Sequence, residues 1–85
     1  MQSFEYVVQL GSGLHARIAG ELMRVVKSFK SDVTLYVGDR SANLQKVLGV
    51  MNLAIKKGDQ IRIVVEGNDE DVAFDEISHF VKENL

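Results

Sequence analysis

A chain of 85 residues has room for one small domain with a single thin core, and 46% hydrophobic against 26% charged residues is the balance of a folded protein rather than a disordered one. A net charge of −2 is wrong for gripping nucleic acid through broad phosphate neutralisation, and the absence of cysteine excludes disulfides, thiolate metal sites and a cysteine nucleophile. Met1-Gln2-Ser3-Phe4-Glu5 lacks a basic segment followed by a long apolar run, and no stretch approaches the ~18 apolar residues of a membrane span, so a cytosolic protein without membrane insertion is expected.

Phe4, Tyr6, Val8 and Leu10 alternate with Glu5 and Gln9, which predicts a half-buried strand ended by Gly11-Ser12-Gly13. From Ala16 the period changes: Ala19, Leu22, Val26 and Phe29 recur at helical spacing up to Ser31-Asp32. Val33, Leu35 and Val37 alternate again, Gly38-Asp39 suits a two-residue hairpin turn, and a short strand returns over Ser41 to Leu44. A second helix is predicted from Val47 to Ile55, closed by Lys57-Gly58-Asp59 with glycine at its C-terminal cap. Ile61, Ile63 and Val65 make a fourth strand. After Gly67-Asn68 comes a last helix with Ala73, Ile77, Phe80 and Val81 facing inward, Asp69, Glu70 and Asp71 at its start and Lys82 near its end, as the helix dipole favours.

The order β-α-β-β-α-β-α over residues 1–85 is an α+β fold, a single domain of two layers with the helices on one sheet face. Glu5, Gln9, Thr34, Arg62 and Glu66 fall on the other face, polar enough to meet water.

Chemistry is confined by the residue inventory. Of two histidines, His79 sits among Ser78, Lys82 and Glu83 and reads as a solvated surface residue. His15 lies between the glycine turn and a helix start, with Arg17 two residues on. Unpaired N–H groups and the dipole at a helix N-terminus stabilise an anion, and an arginine fork pairs with phosphoryl oxygens. On these residues alone His15 is open between a plain helix-start histidine and a phosphoryl acceptor. No spacing supplies further metal ligands and no Ser-His-Asp arrangement is legible, so neither metal nor cofactor is expected. The second helix is apolar nearly all round. With Val50, Leu53 and Ala54 facing inward, Leu48 and Met51 are left as an exposed docking patch, unless neighbouring helices bury the whole segment.

Gly13-Leu14-His15-Ala16-Arg17, followed by Ile18-Ala19, closely resembles the active-site motif of HPr, the phosphocarrier of the bacterial phosphoenolpyruvate-dependent sugar phosphotransferase system. The run from Asn43 to Leu53 resembles that family's second signature at the expected distance. The resemblance covers the whole chain. It implies an open-faced β-sandwich with antiparallel sheet order 1-4-2-3, and a carrier rather than an enzyme. In such a carrier His15 accepts phosphate on Nδ1 from phosphorylated enzyme I and passes it to a histidine of a sugar-specific enzyme IIA. Ser12, Ala16 and Arg17 would hold the phosphoryl group. Gly20, Arg24, Lys27, Lys46, Val47, Leu48 and Met51 would meet both partners, with the protein acting as a monomer. Two residues depart from the pattern. Ile18 stands where the family carries proline in the first helical turn. Lys46 stands where many members carry a serine whose phosphorylation by a dedicated kinase weakens docking to enzyme I. The chain is therefore expected to lack that switch and to act as a dedicated carrier, or as a regulatory relative in a nitrogen- or metabolism-linked phosphorelay or one that controls a partner enzyme by binding it.

Overall fold

A computed structural model describes all 85 residues. Its elements are β1 (Gln2–Val7), α1 (Ala16–Lys27), β2 (Asp32–Val37), β3 (Arg40–Asn43), α2 (Val47–Met51), β4 (Gln60–Glu66) and α3 (Glu70–Asn84). One four-stranded antiparallel sheet runs β1-β4-β2-β3. β4 is central: Ile63 faces Phe4 across one ladder and Leu35 across the other, and Val65 faces Val33. Period-two alternation puts Ile61, Ile63, Val65, Val33, Leu35 and Val37 on the inner face, all buried. Against them α1 sets Ile18, Ala19, Leu22 and Val26, and α3 sets Ala73, Ile77 and Val81. Phe4 of β1 meets Phe74 of α3 edge-to-face, ring centroids 5.5 Å apart. The uncovered face carries Glu5, Thr34, Arg62 and Glu66, with the Arg62 guanidinium 4.6 Å from the centre of the Tyr36 ring.

Several expected boundaries move, each for a local reason. β1 begins at Gln2 and ends at Val7; beyond it the amides of Gln9 and Leu10 donate to the Leu85 carbonyl instead of to a neighbouring strand. α1 stops at Lys27 rather than running to Phe29, because the Ser28 amide and hydroxyl both bond the Val25 carbonyl and tighten the last turn. α2 is five residues long and does not reach Ile55. The Leu53 and Ala54 amides bond three residues back, to Val50 and Met51, and Ala54 turns left-handed at φ 52°. Arg40 of β3 takes the Leu53 carbonyl at 3.0 Å. The residue that ends this segment is thus Ala54, and Gly58 belongs to the following turn. The early exit also rotates the inward set: Leu53 and Ile55 are buried while Ala54 is exposed, opposite to its expected placement. Phe80 and Phe29 are half-buried rather than central to the core.

The α1–β2 connection is tied to the start of α3. Asp69, the N-terminal cap residue of α3, accepts from the Lys30 amide (2.8 Å) and the buried Ser31 hydroxyl (2.5 Å). These donors hold its carboxyl below the ordinary aspartate range, the Lys30 amide first. No helix is long and apolar enough to cross a membrane.

Candidate functional site

His15 is set in place from both sides. Gly13 takes φ 67° and packs so closely on the segment after α2 that a Cβ would stand 2.4 Å from the Ile55 carbonyl oxygen. The next amide, of Leu14, donates to that same oxygen at 3.1 Å, and the Leu14 side chain is buried. The chain then leaves the core at His15, half-buried and extended (φ −96°, ψ 175°), the residue that precedes α1. Its carbonyl accepts the first helical bond, from Ala19 at 2.8 Å, while its side chain caps nothing. The amides of Ala16, Arg17 and Ile18 have no protein acceptor, and no acidic side chain occupies the first turn. The imidazole therefore stands beside three free donors at the positive end of a twelve-residue helix. Ser12 is exposed in the turn just before, and Ala16 and Arg17 are exposed just after.

Ile18 has two roles that periodicity alone did not reveal. Its side chain is buried in the core at 3% exposure, and its amide is one of the three free donors, a donor proline would lack.

Arg17 is not free. Its Nη1 donates to Oε2 of Glu21 at 2.9 Å, one turn further along α1. Arrangement i,i+4 was present in the sequence as the signal for this pair. Arg24 and Lys27 are exposed on the same helix without carboxylate partners, and Gly20 is half-buried.

α1 packs against α2, which brings the second group of residues alongside. Lys46 precedes α2 and is exposed, and Leu48 projects at 78% exposure. Val47 and Met51 are half-buried against the core, so Met51 is less exposed than expected and the projecting apolar tip is Leu48 alone. Arg40, which fixes the Leu53 carbonyl below this tip, has no sequence signal because the contact depends on how β3 and α2 pack. Charge is split between helices. α1 carries Arg17, Arg24 and Lys27 against Glu21, whereas α3 carries Glu70, Asp71, Asp75, Glu76 and Glu83 against Lys82. No group of three or more metal-ligating side chains is found, and His79 pairs only with Glu83 at 3.0 Å on the exposed side of α3.

This sheet order, with three helices on one face, is that of the histidine-containing phosphocarriers. The corresponding protein of a Mycoplasma superposes with a TM-score of 0.92 at 33% identity, over 96% of this chain and 93% of that one. The family model described as "PTS HPr component phosphorylation site" matches residues 2–83. The phosphocarrier protein HPr of Lysinibacillus sphaericus is 37% identical over 98% of this chain and 94% of its own length. That of Mycoplasma capricolum is 36% identical over 91% and 86%. The chain belongs to the HPr family, whose members are phosphocarriers of the phosphotransferase system and not enzymes in their own right.

Proposed function

We propose that His15 takes a phosphoryl group from phosphorylated enzyme I and delivers it to a histidine of a sugar-specific enzyme IIA. The observation that carries this reading is the half-exposed His15 side chain beside the unengaged amides of Ala16, Arg17 and Ile18. In the transfer, a ring-nitrogen lone pair forms the new N–P bond as the donor's N–P bond breaks, and the electron pair returns to the donor imidazole. The three phosphoryl oxygens then lie where backbone donors point, with Ser12 and the Arg17 guanidinium on either side. Little covalent work falls to the protein; positioning and charge stabilisation do most of it.

Leu48, with Val47 and Met51 beside it, forms the apolar centre of the docking face, and Gly20, Arg24, Lys27 and Lys46 its rim. Rim charge speeds encounter more than it tightens binding. Lys46 supplies no hydroxyl for a serine kinase and holds positive charge permanently at the edge of α2, which favours a carrier always open to enzyme I. The test is a two-stage relay in the cytosolic components: label moves from phosphoenolpyruvate through enzyme I to this protein, and from the isolated phosphoprotein to an enzyme IIA. Label that reaches the protein and never leaves it would support a purely regulatory relative instead.

A further inference from the structure

Glu21 is the single carboxylate on α1, set between Arg17 and Arg24 in an otherwise basic row, and it bonds Arg17 rather than either free cation beyond it. The direction of that bond matters. His15 and the free amides lie at the N-terminal end of α1, and Glu21 lies one turn toward the C-terminal end from Arg17. One guanidinium nitrogen of Arg17, Nη1, is therefore already engaged by Glu21 while His15 carries no phosphoryl group. Both side chains are solvent-accessible, 70% for Arg17 and 37% for Glu21, so the pair is light enough to exchange.

We infer that Glu21 is a positioning residue that parks Arg17 in the unphosphorylated protein and gives it up when His15 carries phosphate. This rests on the phosphoryl-acceptor reading of His15. A phosphoryl dianion offers a guanidinium two parallel charge-assisted bonds, against the single bond seen to Glu21, so the exchange runs toward the phosphoryl group. The lost i,i+4 pair sets its cost, about two-fold in the phosphorylation equilibrium. Glu21 thereby leaves the phosphohistidine slightly less stable and a readier donor to the next protein.

Two measurements test this, with His79→Ala in every variant so that His15 is the one histidine. In the first, His15 is phosphorylated chemically with phosphoramidate, its ring nitrogen displacing ammonia from phosphorus, and the Glu21 side-chain carboxyl carbon is followed by NMR. Its signal is expected to move on phosphorylation with Arg17 present and to stay still in Arg17→Ala. No movement, or equal movement without Arg17, overturns the inference. In the second, phosphorylated enzyme I equilibrates with the parent, Glu21→Gln, Arg17→Ala and the double variant. Glu21→Gln is expected to raise the phosphorylated-to-free ratio about two-fold, and to do nothing in the Arg17→Ala background. An equal gain in both backgrounds would mean that Glu21 acts by its own charge and not through Arg17. Because the chemical route does not use enzyme I, failure of enzyme I to label His15 would remove the relay reading while leaving the exchange decided by the first measurement.

Discussion

The Gly13 Cα faces the Ile55 carbonyl so closely that the smallest side chain would place its Cβ 2.4 Å from that oxygen. This contact couples the start of α1 to the end of the α2 segment, and so fixes His15 relative to the proposed docking tip. Gly13→Ala must relieve both this overlap and a left-handed φ of 67°. It is expected to lower stability by ~1–3 kcal/mol in denaturant unfolding. Gly11→Ala, where an added Cβ meets nothing within 4 Å, is expected to stay within ~0.5 kcal/mol of the parent.

Ile18 separates a core effect from a helix-start effect. Ile18→Ala opens a hole under α1 and should cost ~2–4 kcal/mol. Ile18→Pro should cost less, because the ring keeps part of the buried volume, the amide it removes has no protein acceptor, and a proline restricts the unfolded chain by ~0.4–1 kcal/mol. A larger loss for proline than for alanine would show that the Ile18 amide has a structural role in the free protein.

Much of this was legible in the sequence. Alternation in Ile61, Ile63 and Val65, the change to helical period after Ala16, and His15 between a glycine turn and a helix start all survive in the structure. What was not legible depends on tertiary contact. The length of α2 is set by Ala54 turning left-handed and by Arg40 reaching from β3 to the Leu53 carbonyl, neither of which periodicity encodes. The apolar residues of that segment suggested a longer helix because buried loop residues such as Leu53 and Ile55 mimic a helical stripe. Glu21 stands at i+4 from Arg17 and three residues before Arg24, and spacing alone does not decide which of the two arginines it pairs with.

The proposed docking face has a clean probe in Leu48. Its side chain packs against little in the free protein, so Leu48→Glu should leave stability within ~0.5 kcal/mol while weakening binding to enzyme I by about 1–2 kcal/mol, read by calorimetry. Met51→Glu is expected to weaken binding too, but with a loss of stability, since Met51 packs on the core. Lys46→Asp should slow phosphotransfer from enzyme I at low salt, with the difference shrinking as ionic strength rises. Equal low-salt rates would place enzyme I away from this edge.

Acid stability should depend on Asp69. Its carboxyl titrates lower in the folded protein than the ordinary 3.8, so its contribution is fully present above that value and is lost as pH falls through the lower folded one. Asp69→Ala is expected to be less stable than the parent at pH 7, with the gap narrowing only below about pH 4. A gap independent of pH between 7 and 2 would assign the effect to packing around Ser31 instead.

Whether His15 carries the phosphoryl group is decided by incubating the parent protein and His15→Ala with phosphoenolpyruvate and enzyme I and measuring the bound phosphate and its lability. The parent is expected to take up one acid-labile, base-stable phosphoryl group, and His15→Ala none, even though His79 remains exposed in both. Undiminished labelling of His15→Ala, or a parent protein that takes no label, would contradict it.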